Sequence, residues 1–68
     1  MLKITLAAAR VNAGLTQNQV AKELKVSNKT VNNWENGKAI PKADKIDAIC
    51  ELYRVPYDNI IFFFFNNA

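Results

Sequence analysis

The stretch from Thr16 to Gly37, TQNQVAKELKVSNKTVNNWENG, restricts the fold of this chain more than any other. Thr16 suits the start of a helix, and Gln19 three residues later completes a reciprocal capping box. Val20, Ala21 and Leu24 then share one helical face, with polar residues on the other. Lys25 and Val26 leave room only for a tight turn before Ser27, a second capping residue. In the helix that follows, Val31 and Trp34 make a narrow apolar seam, and Asn36-Gly37 supplies the left-handed residue that ends it. Two helices joined by so short a turn must cross steeply, which demands a small side chain where they meet. Ala21 stands there.

This geometry, over residues 16–37, is that of a helix-turn-helix, and the polarity of its second helix is the functional clue. With Val31 and Trp34 turned inward, Asn28, Lys29, Asn32 and Asn33 face solvent. Asn is a poor helix former, so three of them within one short helix cost stability without structural return. Their amides do offer a paired donor and acceptor, the pattern that matches the adenine edge in the major groove. The bland alternative is a tolerant polar surface.

Sixty-eight residues make one domain, 1–68, which buries about 60% of its unfolded surface and has no room for a separate catalytic unit. Half the residues are apolar, enough for a packed core. The net charge of +3 is unevenly spread: residues 1–45 hold eight Lys/Arg against three acids, and 46–68 hold one against three. The basic part contains the polar helix, as a phosphate-binding face requires. Cys50 is the only cysteine and there is no His, so no internal disulfide, zinc site or His-based catalysis is expected. No clustered nucleophile, base or metal set points to an enzyme, a cofactor or a small-molecule substrate. The cysteine usage and the lack of a leader favour the cytoplasm. The run IIFFFF at 60–65 is far too short to span a membrane.

In chain order, Met1 to Ile4 suits a short extended arm. Thr5 caps a first helix to about Ala13, ended by Gly14, with Leu6, Ala9, Ala13 and Val11 expected toward the core. Leu15 precedes the Thr16 cap as a hydrophobic staple. After Gly37 comes a basic loop, Lys38-Ala39-Ile40-Pro41-Lys42, and then a fourth helix, about Ala43 to Tyr53, with Asp44 in its favourable first turn. Ile46, Ile49, Cys50 and Tyr53 repeat as a core stripe, which makes Cys50 a small buried hydrophobe. Val55-Pro56 breaks this helix, and Tyr57 to Ile61 has room for one more turn.

The tail Ile60, Ile61, Phe62, Phe63, Phe64, Phe65 would be an aggregation hazard if left exposed. Either it completes the core, or it forms a strand that pairs with another chain; Met1 to Ile4 is a possible local partner for that strand. A dimer contact across a two-fold axis, with a dimerisation tail at 57–66, is the favoured expectation.

Leu15 to Gly37 resembles the helix-turn-helix of the phage repressor and Cro family. The match rests on LTQNQVAKELKVS, on Val31 and Trp34, and on the closing WENG. It extends more loosely through Pro41, ICELYRV and PYDNI, about 55 residues in all. The resemblance implies an all-α, compact five-helix lambda-repressor-like domain, to which short terminal strands are a possible addition. It further implies that Gln17 and Ser27 brace against phosphates and that Asn28, Lys29, Asn32 and Asn33 face base edges. Asn36, Lys38 and Lys42 would hold the flanking backbone, and Arg10 and Glu35 would pair as a structural clamp. Two positions depart from the family. Lys25 replaces the usual turn glycine, at about 1 kcal/mol for a left-handed conformation, and Lys42 replaces the usual capping Ser.

The expected function is sequence-specific binding of double-stranded DNA by a homodimer on an inverted repeat, in a transcriptional repressor of phage or mobile-element type. The alternative is a protein-interaction module or antitoxin-like adaptor on the same scaffold.

Overall fold

The computed structural model describes residues 3–62. Four α-helices follow one another: α1 (Leu6–Asn12), α2 (Gln17–Leu24), α3 (Asn28–Glu35) and α4 (Ala43–Tyr53). A short strand β1 (Ile4–Thr5) precedes them, and a 3-10 turn (Tyr57–Asn59) leads into a second strand β2 (Ile60–Ile61). The two strands pair in parallel, Ile4 with Ile60 and Thr5 with Ile61. Among the described residues the fold is therefore mostly helical, with four α-helices where five were expected. Pro56 supplies the entry to the last helical turn, and that turn stops after three residues because Ile60 passes into the sheet.

Side-chain oxygens start the first three helices. Thr5 accepts from the amide of Ala8, Thr16 from Gln19 and Ser27 from Thr30, and the Gln19 side chain completes the box by accepting from the amide of Thr16 at 2.8 Å. Lys42 makes no such cap for α4, where Asp44 in the first turn complements the helix dipole instead.

All four α-helices end the same way. One of the first two residues past the helix is left-handed, its amide reaches back three residues, and the next amide reaches back five. In α1 these bonds are Gly14 to Val11 and Leu15 to Arg10; in α3 they are Gly37 to Trp34 and Lys38 to Asn33. In α2 and α4 the left-handed residue is not glycine. Lys25 (φ 58°) and Arg54 (φ 57°) hold it, with Val26 bonded to Ala21 and Val55 to Cys50. Leu15, Val26 and Val55, each the residue after the left-handed one, pack against the core.

That core is Leu6 and Ala9 from α1, Val20, Ala21 and Leu24 from α2, Val31 and Trp34 from α3, Ile49 and Tyr53 from α4, and Ile60 and Phe62 from the C-terminal strand region. Ala21 is buried as the steep α2–α3 contact requires. Val11 and Ala13, expected inward, are exposed. Val11 lies five residues past Leu6, about 140° around the helix, so it points away from the face that Leu6 and Ala9 bury. Ala13 lies beyond the last turn, at the lip of an open groove shared with Leu52, Tyr53 and Arg54.

The C-terminal apolar run divides. Ile60 and Phe62 are only 4% and 3% exposed, so they belong to the core of the single chain and not to a dimer contact. Phe62 stacks on Tyr57 with ring centroids 5.4 Å apart. Ile61 is half-buried, and Phe63, Phe64 and Phe65 lie outside the described residues. The strand found here pairs with the chain's own N-terminal arm.

Candidate nucleic-acid interface

Successive residues of a helix are turned by about 100°, which divides α3 cleanly. Val31 and Trp34 occupy the inner side and are 1% and 5% exposed. Asn28, Asn32, Lys29 and Asn33 fall within about 140° on the outer side. The first three are exposed and Asn33 is half-buried. Lys25 in the turn before α3, and Lys38 and Lys42 in the loop after it, are all exposed. α3 thus carries a row of amides with one ammonium among them, and further ammonium groups stand before and after it in the chain. No acidic residue occupies the first turn of α2 or α3, so the positive ends of both helix dipoles are left to attract anions.

The amides are not loose. Asn36 Nδ2 donates to the Asn32 carbonyl at 3.0 Å and to Asn32 Oδ1 at 2.9 Å, tying the end of α3 to its outer face. Asn28 Nδ2 donates to Asn18 Oδ1, which joins the start of α3 to the start of α2. The backbone carbonyl of Asn33 accepts the amides of Lys38 and Ala39, so the basic loop leaves α3 along a fixed path.

The pairing of Arg10 with Glu35 is present and locks α1 to the end of α3. Arg10 Nε donates to Glu35 Oε2 at 2.7 Å and Nη2 to Oε1 at 3.3 Å, while Nη1 reaches the carbonyl of Leu15 at 2.9 Å. The side chains are only 16% and 7% exposed. The hydrogen bond to Glu35 raises the Arg10 pKa, against the desolvation that lowers it. Gln17 joins this cluster, its Nε2 donating to Glu35 Oε1 at 2.9 Å. Expected to brace a phosphate, Gln17 instead directs its amide to the clamp. Ser27 likewise uses its hydroxyl within the protein, accepting from the amide of Thr30 and bonding the Thr30 hydroxyl at 2.9 Å.

Two contributors were missed in the sequence. Lys45 Nζ donates to the carbonyl of Leu24 at 2.8 Å, capping the last turn of α2 from a helix 21 residues away. Asn18, which holds Asn28, is the other. Neither has a local signal, because each depends on how the helices cross. Among the described residues no group of three or more His, Cys, Asp or Glu could hold a metal ion, and no helix is long and apolar enough to cross a membrane.

The sequence matches the helix-turn-helix family over residues 6–60. Over 52 residues, 76% of the chain, it is 33% identical to the HTH-type transcriptional activator BcrR of Enterococcus faecalis. That alignment covers 26% of the relative, so the chain spans about a quarter of its length. No solved structure matches. The family match begins at the first residue of α1 and ends in β2, enclosing the whole clamp-and-helix arrangement. The chain belongs to the Cro/C1-type helix-turn-helix family, a family of DNA-binding regulators.

Proposed function

We propose that this protein is a sequence-specific double-stranded DNA-binding transcriptional regulator that places α3 in the major groove. The observation that carries the reading is the outer side of α3, where Asn28, Lys29, Asn32 and Asn33 stand opposite the buried Val31 and Trp34. Asn amides and a Lys on such a helix read base edges. Lys38, Lys42 and Asn36, together with the open amides at the starts of α2 and α3 near Gln17 and Ser27, hold phosphates. They supply affinity that falls as salt rises.

One such module covers roughly 600–1,000 Å², which limits specificity. A homodimer on an inverted repeat, with half-site centres about 34 Å apart, doubles the readout. Ile61 and Phe63 to Phe65 are the residues of the apolar run assigned to that contact, since Ile60 and Phe62 are committed to the core. Repression in a phage or mobile element is the proposed outcome, because occupying a promoter demands affinity alone. A DNA ligand also fits the cytoplasm. The adaptor alternative loses support, as it relied on an apolar tail of which two residues are buried in the chain's own core.

The test is selection of bound duplexes from a random pool at physiological salt with the full 68-residue chain. An enriched inverted repeat, bound with a steep salt dependence, is the expected result. A pool that enriches nothing would refute the proposal.

A further inference from the structure

Val26 in the turn and Thr30 and Trp34 on α3 stand four residues apart and so share one side of that helix. With Ile40, Lys42 and Lys45 they line an open pocket of about 290 Å³ between α3, the loop after it and α4. Ile40 is 55% exposed, in a loop that otherwise presents Lys38 and Lys42 to solvent. An apolar side chain left open there adds nothing to phosphate binding and little to the core. The two ammonium groups are held differently. Lys42 is exposed at the start of α4, whereas Lys45 is half-buried and gives one N–H to the Leu24 carbonyl at 2.8 Å, two residues before Val26. An ammonium has three N–H donors, so Lys45 keeps two for a ligand. Among the described residues no carboxylate lines the pocket.

A concave site with apolar walls and a few convergent polar groups has the form of a small-molecule site, and the sign of those groups says what it takes. A free phosphate would leave Ile40 and Trp34 facing water. A neutral hydrocarbon would cover the ammonium groups without pairing them, which costs free energy. An anion with a compact hydrocarbon body satisfies both. We propose that this pocket is an effector site for a small apolar monocarboxylate, its carboxylate pairing with Lys42 and Lys45 and its body lying against Ile40 and Trp34. The consequence rests on the DNA-binding reading above: Lys42 is also assigned to a phosphate, so the two anions compete for it and the ligand weakens DNA binding.

The experiment uses the full 68-residue chain, in which Trp34 is the only tryptophan, so its emission reports on the pocket. Phenylacetate and hexanoate are titrated at constant ionic strength, beside acetate, which lacks the apolar body, and phenylacetamide, which lacks the charge. The two acids are expected to give a saturable change in emission. Phenylacetamide should bind about tenfold more weakly, the low end for hydrogen bonds to charged groups. Ile40→Ala should lower affinity for the acids about fivefold through lost apolar contact, and Lys42→Gln should lower it through lost charge, with circular dichroism melting as the check on folding. On the selected duplex, either acid should weaken wild-type binding more than acetate does. Ile40→Ala should bind that duplex as the wild type does and lose most of the sensitivity to acid. The proposal is overturned if neither acid gives a saturable change, if phenylacetamide matches phenylacetate, or if both variants bind the acids as the wild type does. It is equally overturned if a bound acid leaves the affinity for the duplex unchanged. If the wild type binds no duplex in the absence of acid, the DNA-binding reading fails, while the emission titrations still decide whether the pocket takes a carboxylate.

Discussion

Arg10 meets Glu35 through two nitrogens and the Leu15 carbonyl through a third, so one planar side chain fixes the distance between α1, the following turn and α3. Removing it leaves Glu35 nearly buried with only Gln17 as partner. Arg10→Ala should therefore cost about 3 kcal/mol, a loss visible as a lower melting temperature. Arg10→Lys should recover little, because an ammonium cannot copy the guanidinium fork. Tyr53 offers a pH test at the same scale. Its pKa is pushed from 10.0 to about 12, chiefly by burial, then by the charge of Glu35, against the opposing charge of Arg10. Above pH 10 the unfolded chain releases this proton before the folded one does. Stability is then unaffected by Tyr53 below about pH 10 and falls as pH rises from there toward 12. Tyr53→Phe should remove that part of the alkaline loss in denaturant titrations run across this window.

The left-handed helix endings suggest a test at the level of elements. Lys25 and Arg54 hold a conformation that costs a residue with a side chain about 1 kcal/mol or more. Lys25→Gly and Arg54→Gly should each raise the melting temperature by several degrees. Gly14→Ala should lower it by a similar amount through the backbone alone, since a Cβ there meets no atom within 4 Å. These endings also show what could be read from residues in order. Gly14 and Gly37 announce two of the four stops, Thr16 with Gln19 announces a start, and Ile46, Ile49, Cys50 and Tyr53 announce a face; each is a local pattern. Arg54 carries no mark of its left-handed role. Ile60 and Phe62 were hidden because an unbroken apolar run has no period to say which members turn inward. The outer face of α3 was legible because Val31 and Trp34 fix its phase. The Asn18–Asn28 and Lys45–Leu24 bonds were not, because they span 10 and 21 residues and exist only once the helices are crossed.

Over the whole molecule, the proposed function has charge and shape divide the work of binding. Lys38→Ala should weaken binding to every duplex alike and reduce the slope of log affinity against log salt by about one. Asn33→Ala should instead relax the preference at one base pair by about 1–3 kcal/mol. Fluorescence anisotropy titrations on selected and random duplexes separate the two, and equal behaviour of both variants on both duplexes would contradict the division. Ile60 and Phe62 matter at this scale because burying such side chains contributes about 1.5–3 kcal/mol each, comparable to the whole stability of a domain this small. Truncation after Asn59 should accordingly leave a chain without a cooperative melting transition.

The pairing of Ile4 with Ile60 bears on how the protein comes into being. During translation the first strand leaves the ribosome long before its partner has been polymerised, and the helices form against a core still missing two of its members. The helices therefore gain their complete core only once residues 60–62 have emerged to join it.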